Sequence, residues 1–250
     1  MSENKIGFRN HYQIEATQYD QNRFGCNCNV MYDNALKEII YNYIKECDYI
    51  LEAGCGTGRF SIHLAKQGKK VLAMDASIEM LNIARSKAIE ENVADRIVFV
   101  EGDIENIPFN DKTFDGAISF AVLRHFNPPE KGISELSRIV RNDGVVVFDI
   151  LNGKILRYYD MYKILIGREP NIPNEHFFKN YYFDLTETNE MLLKKHMLLS
   201  SYQGIIKFPS HFLLCILRLK SLSNIIKWIE LNVNFGAVIL LKVKRGKDDL

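Results

Sequence analysis

From residue 49 onward, short apolar runs alternate with longer stretches in which apolar residues recur at helical spacing. The short runs predict buried strands, and the longer stretches predict amphipathic helices. Repeated strand and helix units of this kind are typical of α/β proteins with a mostly parallel sheet. The pattern predicts strands at residues 49–53, 71–74, 97–100, 114–120 and 145–150, with further candidates at 198–208 and 237–243.

The predicted helices between these strands have recognisable ends. A helix over residues 59–67 is closed by Gly68, since a residue without a Cβ tolerates the left-handed conformation that ends many helices. Ser77 is a predicted N-cap for a helix that runs to Glu91. Pro129 lies where a first-turn proline is tolerated, and it predicts the start of another helix.

Four segments follow from this pattern. Residues 1–45 are predicted as an N-terminal helical segment, and residues 46–150 as the ligand-binding core. Residues 151–196 hold prolines and many aromatic residues, and they predict a cap insertion because they exceed a plain connection in length. Their aromatic side chains either line an apolar or aromatic substrate pocket or pack the cap onto the sheet. Residues 197–250 are predicted as strands and amphipathic helices that complete the sheet.

Composition narrows the class of protein. The chain has 250 residues, 47% of them hydrophobic and 25% charged, which suits one large α/β domain or a domain with a modest cap. A formal net charge of +1 provides no basic field, so a small substrate is favoured over nucleic acid. The polar start of the chain has no signal-peptide core, and no transmembrane helix is evident.

The cysteines point to a reducing cytoplasm. There are five, an odd number at irregular spacing, which does not make a disulfide framework. The pair Cys26 and Cys28 lacks the spacing of a zinc knuckle, and no matching pair follows. Free thiols and no metal site are therefore expected.

A glycine-rich turn follows the first predicted strand, in the order Glu52-Ala53-Gly54-Cys55-Gly56-Thr57-Gly58. Such a turn brings bare backbone to the start of a helix, where any Cβ would block a close ligand. A dinucleotide fingerprint needs its third glycine one place later, where this chain has Arg59. A ligand without phosphates therefore suits the turn better. The Glu52 carboxylate disfavours a bound anion but tolerates an ammonium group of the ligand.

Two aspartates follow the next strands. Asp75 ends the second strand at the distance from the loop where an acidic residue accepts both ribose hydroxyls of an adenosine ligand. Its alternative role is only to cap the helix behind it. Asp103 follows the third strand and is predicted to accept from an adenine amino group, with Ile104 covering the ring. The alternative for Asp103 is that it closes a turn.

With these residues, the chain resembles the class I S-adenosylmethionine-dependent methyltransferases, most closely the small-molecule group with the ubiquinone and menaquinone methyltransferases. The resemblance is clear over residues 12–150. It rests on residues 50–58, 74–77, Met80, Leu81, 102–104, 114–115, 122–126 and 139–144. The usual Pro-Gly or Gly-Gly turn of the family is Asp143-Gly144 here. The resemblance implies a Rossmann-like, doubly wound sheet of seven strands, mostly parallel, with the last strand antiparallel and beside the sixth.

The resemblance also implies a site for S-adenosylmethionine. A tyrosine of the N-terminal segment often folds over the cofactor in this family, and Tyr19 is carried over for that role. The expected cofactor-binding residues are Tyr19, Glu52, Gly54, Cys55, Gly56, Gly58, Asp75, Ala76, Met80, Asp103, Ile104 and Phe120.

Two side chains after the fourth strand have open roles. Phe120 either faces the sulfonium, where ring electrons attract a cation, or is a plain core residue. His125 either removes a proton from the substrate, since imidazole titrates near neutrality, or packs against the edge of the cofactor.

These observations predict a cytoplasmic enzyme, a monomer or homodimer, that methylates an O, N or C atom of a small apolar or aromatic metabolite. The alternatives are an NAD-dependent oxidoreductase and a non-catalytic S-adenosylmethionine-binding accessory protein. No nucleic acid is expected as partner. The amphipathic stretch at residues 205–231 either touches a membrane surface or a second subunit, or is buried against the domain.

Overall fold

The structure is a computed structural model that describes part of the chain. The described residues are 16, 18–24, 27–126, 128–152, 182–183, 185–205 and 238–246. Most of the predicted cap at residues 151–196 lies outside them, as do the side chains of its aromatic residues. Most of the amphipathic stretch at residues 205–231 also lies outside them. The side chains of Cys26 and Cys28 do so as well.

The strands and helices alternate as the sequence pattern predicts. The strands are β1 (Tyr49–Ala53), β2 (Lys70–Asp75), β3 (Ile97–Glu101), β4 (Phe114–Ser119), β5 (Val140–Asn152), β6 (Tyr182–Phe183), β7 (Met197–Ile205) and β8 (Val238–Arg245). The helices are α1 (Tyr19–Phe24), α2 (Asn27–Ile44), α3 (Arg59–Lys66), α4 (Ile78–Glu90), α5 (Glu130–Ile139) and α6 (Leu185–Leu193). Two 3₁₀ turns lie at Ala94–Arg96 and Leu123–His125.

One sheet runs through the described residues in the order β3-β2-β1-β4-β5-β8-β7. The pairs among β1 to β5 are parallel, whereas β8 is antiparallel to both β5 and β7. This confirms the doubly wound, mostly parallel sheet with an antiparallel last strand. The short β6 pairs in parallel with the end of β5 and was not predicted, because two residues carry no periodicity.

The turn predicted at residues 142–144 is instead an irregularity inside β5. The pairing with β4 jumps from Phe114 opposite Val140 to Gly116 opposite Val145. Asp143 has a φ of 62°, in the left-handed region. The prediction of a strand over 145–150 was therefore too short, because the turn residues are taken up as a bulge between two paired stretches.

The core occupies both faces of the sheet. Neighbouring strand residues such as Ile50 and Leu51 belong to separate apolar clusters, since successive side chains point to opposite faces. On one face, Leu36 and Ile40 of α2 are buried with α3, and on the other lies α5 with Leu136. None of the described helices combines the length and apolar character that crossing a membrane requires.

Candidate active site

A cavity of about 210 Å³ opens where β1, β2, β3 and β4 end. Open α/β sheets bind ligands at this edge, where the connections diverge to opposite faces. Ten of the predicted site residues line the cavity: Tyr19, Gly54, Gly56, Asp75, Ala76, Met80, Asp103, Ile104, Phe120 and His125. Sequence reasoning did not assign the other lining residues to the site: Met74, Ser77, Glu101, Gly102, Ala121, Val122 and Phe126.

The glycines of the first loop are required for different reasons. Gly54 has a φ of 81°, and a Cβ on it would lie 2.2 Å from the Val122 side chain. Gly56 also has a positive φ, of 53°, but no atom lies within 4 Å of the place its Cβ would take. The loop therefore packs closely against the β4 side at Gly54 and leaves open space at Gly56.

The Asp75 carboxylate is held beside this open space. Its Oδ2 accepts from the Gly56 amide at 2.7 Å, and its Oδ1 accepts from the Ser77 amide at 2.9 Å. Burial raises the pKa of Asp75, while hydrogen bonds from the Ser77, Gly56 and Ala76 amides act to lower it. Asp75 thus joins the glycine loop to the start of α4 and also lines the cavity.

The start of α4 forms the next part of the wall. Ser77 is its N-cap, as predicted, and the Ser77 hydroxyl accepts from the Met80 amide at 3.3 Å. Met80 is buried, and Ala76 is exposed at the cavity.

The wall after β3 contains Asp103, for which the structure shows the turn-closing role. Its Oδ1 accepts from the Glu105 amide at 2.9 Å, so the carboxylate does close a turn. It also lines the cavity, next to the buried Ile104. Gly102 allows this wall to approach β2, since a Cβ there would lie 2.5 Å from the Met74 sulfur.

Three predicted residues lie outside the cavity lining. The buried Glu52 carboxylate accepts from the Ser61 hydroxyl of α3. Glu52 is therefore directed toward α3 and is absent from the cavity lining, where a cofactor-binding role would place it. The Cys55 side chain is also buried. Gly58 serves packing, because a Cβ there would lie 2.9 Å from the Ala84 Cβ of α4.

Phe120 lines the cavity but is already near two cations. The Arg59 guanidinium carbon lies 5.0 Å from the ring centroid, and that of Arg124 lies 5.8 Å from it. The ring also packs edge-on against Phe60, with centroids 5.5 Å apart. The described contacts of the ring are therefore those of a packed aromatic wall.

The loop after β4 is anchored by an acid that sequence reasoning missed. Asp149, fully buried on β5, accepts from the Ala121 amide at 2.6 Å and pairs with the Arg124 guanidinium. Ala121 has a φ of 63°, so this bond holds strained backbone. One carboxylate inside the apolar run of β5 was the available signal. The anchored loop leads into the turn that places His125 and Phe126 at the cavity.

Comparison with known proteins agrees with this architecture. Residues 51–148 match the model of a family described as a methyltransferase domain. A malonyl-[acyl-carrier protein] O-methyltransferase of Pectobacterium atrosepticum is 41% identical over 102 residues, 41% of this chain and 38% of that protein. A demethylmenaquinone methyltransferase of Clavibacter sepedonicus is 36% identical over 118 residues, 45% of this chain and 46% of that protein.

A solved structure shares the fold at low identity. Magnesium protoporphyrin IX methyltransferase from Synechocystis, with bound SAH (S-adenosylhomocysteine), superposes with a TM-score of 0.69 at 16% identity. The match covers 97% of this chain and 100% of that one. The chain thus has the Rossmann-like α/β fold of the methyltransferases, with the cavity at the carboxyl edge of its sheet.

The matches to curated relatives cover parts of those proteins and not their whole lengths. The first four alignments span between 36% and 57% of the lengths of those relatives.

Glu52 is expected to make stability depend on pH. Burial raises its pKa from 4.5 to about 7, against lowering by the Ser61 hydrogen bond and the Arg59 charge. Because the folded pKa is the higher one, its stabilising effect is complete below pH 4.5 and is lost as pH rises through about 7. The free energy of unfolding should fall by about 3 kcal/mol between these two pH values, since the pKa of Glu52 differs by that interval between the folded and unfolded states. Urea denaturation of Glu52→Gln should show a weaker loss over this window, and the exposed Glu38→Gln should keep the wild-type slope. Equal slopes in wild type and Glu52→Gln would contradict the assignment.

Removing the Asp149 carboxylate is expected to destabilise the folded protein strongly. Asp149→Ala leaves the Arg124 charge and the Ala121 amide without their partner, which should lower the free energy of unfolding by about 3 to 5 kcal/mol. The matched control is Asp111→Ala, which removes an exposed carboxylate from Arg138 and should cost under about 1 kcal/mol. Urea denaturation measures both, and similar losses in the two variants would refute the anchoring role.

Proposed function

We propose that the chain is an S-adenosylmethionine-dependent methyltransferase that acts on a small-molecule acceptor. The observation that carries the proposal is the Asp75 carboxylate beside the open space at Gly56, in a cavity of the methyltransferase domain. The cofactor is inferred from the residues of the cavity, from the family, and from the bound SAH of the structural neighbour.

The acceptor capacity of the cavity fits a nucleoside. An ionised carboxylate has about four lone-pair sites, and the Gly56, Ser77 and Ala76 amides bond to those of Asp75. Capacity therefore remains for a ribose hydroxyl. Asp103 and the apolar Ile104 on the adjoining wall suit the polar edge and the face of an adenine.

The residues of this chain act mainly by alignment and by excluding water. S-adenosylmethionine supplies a methyl group on a sulfonium, which is already activated for transfer. Phe120, Val122 and Phe126 provide an apolar wall on the β4 side, next to which we place the acceptor. In this arrangement His125 accepts a proton from acceptors that need one removed. For acceptors that need none, it packs against the bound molecules.

The acceptor is proposed only as a class. The relatives act on chemically different molecules, a malonyl-acyl carrier protein and demethylmenaquinone, so they do not favour one acceptor atom. We assign cofactor binding to residues 46–150 and acceptor binding to the cap at 151–196. Of the flanking segments, Tyr19 lines the cavity, and β7 and β8 extend the sheet.

A cytoplasmic location is part of the proposal, and the buried free thiols Cys47 and Cys55 are consistent with it. No observation favours the NAD-dependent oxidoreductase. Arg59 stands where a dinucleotide fingerprint needs glycine, and its guanidinium packs over Phe60 at 4.2 Å.

Asp75 should dominate binding of the nucleoside. We expect isothermal titration calorimetry to show binding of S-adenosylmethionine and SAH to the wild type. Asp75→Ala should weaken it about 100-fold, since the charge-assisted hydrogen bonding of the carboxylate to the ribose is lost. The exposed Asp95→Ala is the control and should bind as the wild type does. Absence of binding to the wild type, or undiminished binding to Asp75→Ala, would overturn the proposal.

His125 should matter for transfer more than for cofactor binding. His125→Ala, incubated with labelled donor and a metabolite extract, should form about 100-fold less methylated product while its SAH affinity changes little. His63→Ala, on α3 and outside the cavity lining, is the control. Product is identified by mass spectrometry over a range of pH. Full activity of His125→Ala at every pH would exclude the proton-accepting role.

A further inference from the structure

One carboxylate of the short helix α1 contacts both the glycine loop and α4. Asp20 Oδ1 accepts from the Thr57 hydroxyl at 2.8 Å, and its Oδ2 pairs with the Lys87 ammonium. Thr57 lies in the glycine loop between Gly56 and Gly58, and its side chain is buried. Lys87 lies on α4, the helix that starts beside Asp75. The contacts of Asp20 therefore join three segments that are far apart in the chain.

This bridge holds the segment that carries Tyr19. Tyr19 precedes Asp20 at the start of α1 and lines the same cavity as Gly56 and Asp75. A molecule in the cavity is therefore within reach of α1 as well as of the glycine loop and Asp75. Opening the contacts of Asp20 would release α1 from both the loop and α4.

We propose that Asp20 is a positioning residue, the clasp that closes α1 over the bound cofactor. This inference rests on the proposed function, since it takes the ligand of the cavity to be S-adenosylmethionine or its product. A ligand that touches both α1 and the loop favours the closed state. By linkage, the closed clasp then favours the ligand to the same degree.

The strength of the clasp suits repeated opening. The side chains of Asp20 and Lys87 are 34% and 33% exposed, so solvent screens their ion pair and keeps it weak. The hydrogen bond from the buried Thr57 hydroxyl fixes the orientation of the Asp20 carboxylate. Such a clasp slows the escape of ligand but still opens for exchange of spent cofactor.

The test measures SAH binding to the full chain by calorimetry and its dissociation rate by stopped flow. Asp20→Ala and Thr57→Val should each weaken binding about 5- to 30-fold, mostly through faster dissociation. The double variant should lose less than the product of the two single losses, because both break the same contact. Asp20→Asn keeps an acceptor for Thr57 and should lie between wild type and Asp20→Ala.

A matched control separates the clasp from general loss of an ion pair. Glu91→Ala removes the Lys66–Glu91 pair, 2.6 Å long and half-exposed, which joins α3 to the far end of α4. It should leave SAH binding unchanged. Limited proteolysis supplies a second measurement, in which SAH should protect α1 from cleavage in the wild type and in Glu91→Ala but not in Asp20→Ala.

The outcomes distinguish the two proposals. A wild type that does not bind SAH overturns the proposed function. A wild type that binds SAH, with Asp20 variants of equal affinity, dissociation rate and protection, overturns the clasp alone. If Asp20→Ala fails to fold, Asp20→Asn and Thr57→Val decide the question.

Discussion

The hydrogen bond from the Gly56 amide to the Asp75 carboxylate joins the two strands on which the site is built. It fixes the loop after β1 against the end of β2 at an N to O distance of 2.7 Å. Glycine at 56 keeps the space beside that bond open, since nothing lies where a Cβ would stand. The second oxygen of Asp75 orients the start of α4, so one carboxylate sets the relative positions of loop, strand and helix.

Three acids lie at or near this centre, the buried Glu52 and Asp149 and the partly buried Asp75, and each is stabilised in a different way. Asp75 is held by backbone amides, Glu52 by the Ser61 hydroxyl, and Asp149 by an amide and a guanidinium. Burying a carboxylate is costly unless such partners are present. Asp75 faces the ligand space, whereas Glu52 and Asp149 support the segments that form it. Acidic residues near a cavity thus have separable roles that their type alone does not reveal.

The charge around Phe120 changes the expected chemistry of the β4 side. Two guanidinium groups already lie near this ring, and each has a carboxylate partner, Asp33 for Arg59 and Asp149 for Arg124. The ring is therefore part of a packed, neutralised wall. Phe120 thus contributes shape and exclusion of water at this wall.

The sequence by itself determined the strand and helix order, the doubly wound sheet and most of the cavity lining. It did so because periodicity, caps and a loop followed by Asp75 at a set distance are local signals, and parallel strands bring their carboxyl ends to one edge. Only the tertiary structure decided that Glu52 bonds to α3, that Asp149 anchors the β4 loop and that Asp20 reaches Thr57 and Lys87. These contacts join residues between 9 and 67 positions apart, and the direction of a side chain over such a separation depends on packing that no local pattern encodes.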